Sequence, residues 1–387
     1  MKIDCVPAEN DLDLTKNIRA EKSRERFLDA LTEIARRETF TNYFLSASWA
    51  AQYIARVPSG DFFAGYYLED GICEAQSLAY FSHGTRCSPL SRGHVSLGFN
   101  EATSAEFESI TTECNGILAN SRAEFAQWIP ALLSHILVTP EWEELRFNAL
   151  SARDAVQLQD AAEKLGLLSH VFSSRKTYLI DLAFIRDRFA GDFLASRSAN
   201  SRQQIRRAIK KIARDYGSVE IERASSAEVA HNWLDLLGVF HLRRWNAKGE
   251  LTGFADPHFV AFHHSLIDGL FDSTQVDVLR VSSADKVLAY LHNFVVDGKV
   301  YFNLSGICYE LFASYAPGIL AHHAAIEYYQ DRQMNIYNFL AGTNRYKESL
   351  STFSETQIDI IVRRPLLKFR IEGFFRSVKR LFNEAKE

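Results

Sequence analysis

The chain has 387 residues, of which 47% are hydrophobic and 24% charged, and its formal net charge is −4. This composition is ordinary for a globular protein, and the length predicts two domains. The charge argues against DNA binding, no apolar run reaches the ~20 residues of a membrane span, and the polar residues 1–26 do not resemble a signal peptide. Five scattered cysteines argue against a disulfide framework. We expect a cytoplasmic enzyme.

The first half of the sequence predicts a mixture of strands and helices. Its periodicity predicts strands at 61–68, 75–82 and 145–150, and helices at 121–136 and 152–165. The tripeptide Leu-Ala-Tyr at 78–80 recurs at 288–290, in the same kind of strand. This repetition favours two tandem copies of one fold, joined near 181–199.

The second half has clearer signals. A capping box predicts a helix that starts at Asn200 or Ser201 and ends at Gly217. Further helices are predicted at 227–245, 257–271 and 318–331, with a short one near Tyr346, and strands at 219–222, 276–281, 287–296, 300–304, 336–340 and 357–362. Asp297-Gly298 predicts a hairpin turn, because this pair accepts positive φ. The order is therefore β-α-α-β-β-β-α-β-α-β.

The junction before the helix at 318–331 is a candidate anion site. Tyr315, Pro317 and Gly318 precede or open this helix. Free N–H groups and the helix dipole favour an anion there, and glycine allows close approach. A Pro-Gly pair is common at helix starts, so the prediction depends on its position after the third strand.

Cationic residues in two predicted helices of the second half are candidates for substrate binding. Arg202 and Arg206 begin a row of basic residues at four-residue spacing, which would suit phosphates but is also typical of a solvated helix face. Arg244 and Trp245 could together form a planar donor and stacking surface, although Trp245 could equally be a core residue.

Two residues are candidates for proton transfer. His241 shares a helix face with Arg244 and is a possible general base. Tyr346 follows a predicted strand and could protonate a leaving thiolate, with Lys347 beside it as a further substrate-binding residue; a packing role for Tyr346 stays open. The histidines near 322 and 263 show no repeated ligand spacing, so we predict no metal.

The tail at 366–387 predicts a basic amphipathic helix. Phe369, Phe374 and Phe382 fall roughly on one side of the helical wheel. Such a helix could lie on the inner face of a membrane, contact a protein, or pack on its own domain.

Four segments together resemble a known family. They are SANSRQQIRR at 198–207, FHLRRWNAKG at 240–249, SYAPG at 314–318 and YNFLAGTNRYK at 337–347. They are similar to the CelD/BcsL-type acetyltransferases, which have the GNAT fold and are related to the Fem-type aminoacyl transferases. The segment at 43–49 resembles the opening motif of this family more loosely.

This resemblance implies an α/β (α+β) protein with tandem GNAT-like acyltransferase domains, each a mixed, mostly antiparallel sheet flanked by helices. The expected divisions are 1–185, 186–365 and the tail 366–387. It implies transfer from acetyl-CoA or another acyl-CoA, held at Tyr315, Pro317 and Gly318, to an amine or hydroxyl of a small molecule or saccharide, such as a polysaccharide precursor. Two alternatives stay open: a Fem-like aminoacyl-tRNA-dependent transferase, and a non-catalytic module of a polysaccharide assembly. The family pattern differs at Asn338 and Ala341, which suits the latter.

Overall fold

A computed structural model describes residues 18–35, 42–68, 77–88, 90–103, 109–118, 125–342 and 344–384. The helices are α1 Arg24–Ala35, α2 Ala47–Ile54, α3 Phe125–Leu137, α4 Ala152–Lys164, α5 Leu182–Phe189, α6 Ala199–Asp215, α7 Ala227–Asn246, α8 Pro257–Leu270, α9 Tyr309–Phe312, α10 Pro317–Asp331, α11 Arg345–Leu350 and α12 Leu367–Glu384. The strands are β1 Ile18–Glu21, β2 Phe62–Leu68, β3 Ser77–Ser88, β4 Ser91–Phe99, β5 Glu144–Ser151, β6 Leu168–Asp181, β7 Val219–Arg223, β8 Val276–Ser283, β9 Lys286–Val296, β10 Lys299–Ile307, β11 Ile336–Ala341 and β12 Phe353–Arg363.

These strands form one continuous sheet with a pseudo-twofold arrangement. Its order is β1-β2-β3-β4-β5-β12-β6-β11-β10-β9-β8-β7. If each strand is replaced by the strand whose number is six higher or six lower, the list gives the same order when it is read from the opposite edge of the sheet. The two parallel pairs, β4 with β5 and β10 with β11, are exchanged by this operation. The prediction of two tandem, mostly antiparallel GNAT-like units is therefore confirmed.

The two halves share the centre of the sheet. β12, which comes last in the chain, pairs with β5 of the first half along one edge and with β6 along the other. β6 in turn pairs with β11 of the second half. The segments 1–185 and 186–365 thus contribute to one sheet, and their division into separate domains stays a prediction.

Most elements predicted in the second half are confirmed. Asp297 and Gly298 both have positive φ, as the hairpin requires. The start of α6 was predicted wrongly, because Ser198 is its N-cap and accepts the N–H of Ser201. In the first half, β1, β4 and β6 were not predicted. β6 is largely polar and only partly buried until its last few residues, so it lacks a strong apolar signal.

The segment predicted as the family's opening motif packs against the second half. It forms a short 3-10 helix at Tyr43–Leu45 followed by α2. The Tyr43 ring stacks on Phe294 of β9 with centroids 4.1 Å apart, and Phe44 meets Tyr301 of β10 edge-on. One aromatic core therefore joins the start of the chain to the sheet of the second half.

Helix α12 has two apolar faces, unlike the single face predicted. Phe369 is buried against the sheet, where Lys368 pairs with Glu143. Phe374 lies on the outer side and is 66% exposed. The predicted grouping of Phe369 with Phe374 is therefore wrong, because residues five apart point about 140° away from each other. The side chain of Phe382 lies outside the described residues. None of the described helices is long and apolar enough to cross a membrane.

Candidate acyl-transfer site

The strands β10 and β11 separate partway along their length. Their parallel pairing runs from Lys299 and Ile336 to Tyr301 and Asn338 and then stops. On β10 a bulge lies between Phe302 and Leu304. A bulge leaves one residue outside the ladder and bends its strand. The two strands therefore open a wedge in the sheet beyond Tyr301.

Beyond this point β11 also leaves regular strand geometry. Leu340 has φ +58°, a left-handed conformation that is uncommon for a branched residue. Its N–H donates a hydrogen bond to the side-chain oxygen of Asn338, 2.8 Å away. The polar groups of this strand thus need partners other than β10.

Two charged side chains provide those partners. The Lys347 ammonium donates to the carbonyl oxygens of Phe339 and Ala341, both at 2.8 Å. The Glu113 carboxylate accepts the N–H of Ala341 at 3.3 Å. Lys347 is buried, and burial lowers its pKa to about 8. Burial also raises the pKa of Glu113, while the nearby cations Arg175 and Lys347 oppose that rise.

The wedge contains a cavity of about 210 Å³. Its walls come from both halves of the chain and combine aromatic and apolar side chains with a few polar groups. They are Trp49, Ser109, Ile110, Thr111, Glu113, Phe259, His263, Phe302, Asn303, Leu304, Phe339, Leu340, Ala341 and Lys347. A small, mostly apolar pocket with a few convergent polar groups is typical of a ligand site. The predicted substrate-binding residue Lys347 lies in it.

The N-terminus of α10 is uncapped by any side chain. Its N-cap residue, Ala316, has φ +53° and ψ +55°, and makes no side-chain hydrogen bond to the helix. A non-glycine residue in this conformation is strained by roughly 1–2 kcal/mol. A Cβ placed on Gly318 would meet only the Tyr309 hydroxyl, at 3.5 Å. Gly318 thus has space around it at this helix end, and the use of Pro317 and Gly318 as an anion site stays a prediction.

His322 links this helix end to the wall of the cavity. It follows Gly318 by four residues, about 6 Å along the helix. Its ring contacts Phe302, with centroids 4.5 Å apart, and Phe339, at 5.1 Å, and both line the cavity. An anion at the helix end and a group in the cavity could therefore belong to one molecule.

Tyr346 packs against His322 of α10 and against Phe339, which lines the cavity. Its ring stacks on His322 with centroids 5.1 Å apart and a 12° interplanar angle. Burial raises its pKa, and the neighbouring Tyr309 raises it further. Tyr346 is therefore protonated at neutral pH, and its role as a general acid stays a prediction.

His241 lies outside the cavity lining. Its Nε2 accepts a hydrogen bond from the Trp245 indole at 3.0 Å, and its Nδ1 is 2.8 Å from the Thr252 hydroxyl. Burial lowers its pKa to about 4. The ring is neutral at neutral pH, with both nitrogens engaged, and its role as a base stays a prediction.

The predicted cationic residues are divided between two places. Arg244 lies over the Tyr309 ring, 4.3 Å from its centroid, and so is close to the end of α10. The Trp245 indole donates a hydrogen bond to His241, and the Lys248 ammonium lies over the indole ring. Arg206 is exposed on α6, and Arg202 reaches the Ala195 carbonyl at 3.5 Å. The structure therefore brings Arg244 towards the site, but not Arg202.

Tyr315 marks where α6 contacts the approach to α10. Its hydroxyl donates to Asp215 at 2.9 Å. Lys211 donates to the Ser314 carbonyl at 2.9 Å and lies 4.4 Å from the Tyr315 ring centroid. The basic face of α6 is thus adjacent to the predicted phosphate segment.

The sequence analysis missed Glu113 and Tyr309. Glu113 lies in an irregular loop of the first half, and no motif marks it. Tyr309 opens α9, a single turn before the predicted anion site. Only the fold brings Glu113 to β11 of the second half. Among the described residues, no group of three His, Cys, Asp or Glu side chains could hold a metal ion.

Comparison with known proteins agrees with this geometry. Residues 199–348, which include β10, α10, β11 and most of α11, match the family model of the acetyltransferase (GNAT) domain. No protein of curated function matches the sequence.

Solved structures share the whole architecture at low sequence identity. FemX superimposes with a TM-score of 0.57 and 11% identity, covering 90% of this chain and 98% of its own. L-PGS from Bacillus licheniformis gives 0.51 and 11%, covering 93% and 98%. A conserved protein of unknown function from Bacteroides thetaiotaomicron gives 0.52 and 10%, covering 90% and 99%. At such identities the likeness shows the fold alone.

The class of protein follows from the domain match and the fold. The second half carries a GNAT acetyltransferase domain, and the chain folds as a tandem GNAT-like protein. It is an acyltransferase.

Proposed function

We propose that the protein transfers an acyl group from acetyl-CoA or another acyl-CoA to an amine or hydroxyl. One observation carries this proposal: His322, about one turn along α10 from its open end, packs against Phe302 and Phe339, which line the cavity in the wedge between β10 and β11. The pyrophosphate would bind at Gly318, and the thioester would reach the cavity past Phe302. The family resemblance suggests a sugar or polysaccharide precursor as acceptor.

The residues divide the chemistry between them. Holding the thioester and acceptor together in the cavity supplies proximity. Tyr346, protonated and beside the helix end, would donate a proton to the departing thiolate. Arg244 and Tyr309 flank the anion site.

Gly318 gives a direct test, because the local space accepts a side chain. Gly318→Asp places a carboxylate in the first turn of α10, which favours the helix but repels a phosphate. Gly318→Asn is the matched neutral control. Calorimetric titration with acetyl-CoA should show binding by the wild type and the Asn variant, and at least about tenfold weaker binding by the Asp variant. The proposal fails if the wild type does not bind at millimolar levels, or if both variants bind alike.

A second candidate donor is aminoacyl-tRNA. The observation that favours it is the exposed basic face of α6, which Lys211 connects to the segment before α10. If this donor is correct, transfer requires charged tRNA and stops after ribonuclease treatment, whereas acetyl-CoA alone supports none.

We infer that α12 contacts an anionic membrane surface. Leu367, Ile371, Phe374 and Phe375 lie at helical spacing and are exposed by 73%, 38%, 66% and 62%. Residues 366–387 contain six basic and three acidic side chains, in a protein whose net charge is −4. An exposed apolar face with basic neighbours is typical of helices that lie on anionic lipid.

Vesicle sedimentation tests this contact. Wild-type protein should sediment with vesicles of phosphatidylglycerol and phosphatidylcholine more than with phosphatidylcholine alone. Leu367→Ser with Phe374→Ser should abolish the difference, whereas Val138→Ser, at an isolated exposed residue, should not. Equal sedimentation of the double variant and the wild type would rule the surface out.

A further inference from the structure

A second cavity lies between α12 and the strands of the first half, and we call it the α12 cavity. Its volume is about 720 Å³, within the range of small-molecule sites. No residue lines both this cavity and the one in the wedge between β10 and β11. Its walls include Glu144, Arg146, Phe172, Arg363, Glu372 and Phe375.

The two carboxylates of the α12 cavity already have partners. Glu144 accepts hydrogen bonds from Arg363 at 2.8 Å and from Ser96 at 3.0 Å. Glu372 accepts from Arg363 at 2.9 Å and from the N–H of Leu90 at 3.2 Å. Burial favours the neutral form of Glu144, but Arg363 lowers its pKa below the ordinary value, so the carboxylate is ionised. The guanidinium of Arg363 is therefore shared between the two carboxylates.

The guanidinium of Arg146 has unused donors at the same wall. Its side chain is only 19% exposed, yet it makes no hydrogen bond to the part of the chain that the structure describes. The Glu144 oxygen beside it is 3.6 Å away, beyond hydrogen-bond distance, and already accepts from Ser96. Because a guanidinium is a fork of five N–H donors that matches a carboxylate or phosphate, Arg146 is suited to bind an anion.

Exposed apolar side chains surround this polar wall. Leu90, Val171, Phe172 and Phe375 all line the cavity, and all four are exposed. The Arg146 guanidinium lies over the Phe172 ring, 5.1 Å from its centroid. Exposed apolar patches of this kind commonly mark ligand or membrane sites. The cavity thus combines a cationic donor with an apolar surface.

We propose that the α12 cavity binds an amphiphilic anion, whose carboxylate or phosphate pairs with Arg146 and whose acyl chain lies over Phe172 and Phe375. A polar anion without a chain would leave the two aromatic rings in water, and an uncharged amphiphile would leave the guanidinium without a partner. Free fatty acids and membrane phospholipids share this chemistry. The inference rests neither on the proposed acyl transfer nor on the membrane contact of α12.

Probes with matched chains test the ligand class on the wild-type protein. They are decanoate and decyl phosphate, with decanol as the uncharged probe and inorganic phosphate as the anion without a chain. Calorimetric titration, below the concentration at which the probes form micelles, should show one site for decanoate or decyl phosphate. Decanol and inorganic phosphate should bind at least about tenfold more weakly. The inference is overturned if neither anionic probe binds, or if decanol or inorganic phosphate binds as tightly.

Acetyl-CoA shows which cavity the probe occupies. Saturating acetyl-CoA should leave the Kd of the anionic probe within about twofold, because the two cavities share no residue. Displacement of the probe by acetyl-CoA would overturn the inference.

Arg146→Gln tests the residue. Glutamine keeps a polar side chain but removes the charge and the fork of donors. We expect the Kd for the anionic probe to rise at least about tenfold, with little change in the thermal melt. Arg188→Gln, at an exposed arginine of α5, is the control. A Kd of Arg146→Gln within about twofold of wild type overturns the assignment.

Phe172→Ala keeps the inference testable if Arg146→Gln does not fold. Removing the exposed ring takes away part of the contact with the chain, so the Kd for the anionic probe should rise about fivefold. An unchanged Kd would overturn the proposed binding mode.

Vesicle sedimentation distinguishes the two sources of the ligand. If the ligand is a membrane phospholipid, Arg146→Gln also reduces sedimentation with vesicles of phosphatidic acid and phosphatidylcholine, whereas Arg188→Gln does not. If the ligand is a free amphiphile, Arg146→Gln weakens the binding of the soluble probe alone. Either result supports the site and identifies its source, whereas no effect of Arg146→Gln in both assays overturns it.

Discussion

The buried ammonium of Lys347 should make the stability of the protein depend on pH in the alkaline range. This side chain binds the carbonyls of Phe339 and Ala341, which lack strand partners on that side because β10 and β11 have separated. Burial lowers its pKa from 10.5 to about 8. A shift of one unit corresponds to about 1.36 kcal/mol, so the whole shift corresponds to about 3 kcal/mol.

The sign follows from proton binding. Between pH 8 and 10.5 the unfolded chain keeps the Lys347 proton, whereas the folded chain releases it. Stability rises with pH where the unfolded state binds more protons. The wild type should therefore gain about 3 kcal/mol of unfolding free energy, relative to Lys347→Met, as pH rises through this window. Below the window the difference should be constant.

Denaturant unfolding of both proteins across this range provides the measurement. Methionine fills the space but carries no charge and donates no hydrogen bond. The loss of the two hydrogen bonds lowers the unfolding free energy of the variant by the same amount at every pH. A change with pH in the difference between the two unfolding free energies therefore reports the buried charge. Lys210→Met removes an exposed lysine of α6 and should show no such change. Parallel pH curves for wild type and Lys347→Met would refute the reasoning.

Three further substitutions test the packing. Tyr43→Phe should leave stability unchanged or raise it by about 1 kcal/mol in thermal melts, because the buried Tyr43 hydroxyl has no partner among the described residues; a clear loss would contradict this. Gly306→Ala should lower the unfolding free energy by about 1–3 kcal/mol or more, since its Cβ would lie 2.7 Å from the Leu237 Cα, whereas Gly60→Ala has open space and should not. His292→Leu should be more resistant to acid unfolding than wild type. Burial lowers the pKa of His292 from 6.5 to about 3, so the stability of the wild type falls relative to the variant as pH decreases through that range. Equal thermal melts of the two proteins at acid pH would disprove the idea.

Local sequence signals predicted much of the second half correctly. Asp297-Gly298 defined the hairpin because few other pairs accept positive φ at both positions. Pro317 placed the start of α10 because proline suits the first helical turn. The repeated Leu-Ala-Tyr lies on β3 and β9, which the pseudo-twofold arrangement exchanges. The hairpin and the start of α10 therefore required only local chemistry.

Other features depended on contacts between distant parts of the chain. β6 was not predicted, because its largely polar residues form a strand only through pairing with β11 and β12. One apolar face was predicted for α12, since a helical wheel does not show which side contacts the sheet.

The sequence by itself determined the order of most elements in the second half, the tight hairpin and the start of α10, because each depends on backbone preferences of neighbouring residues. Only the tertiary structure decided that Glu113 meets Ala341, 228 residues away in the chain. That contact arises because the loop of the first half packs where β10 and β11 separate. Residue spacing along the sequence does not show which distant segments will pack together.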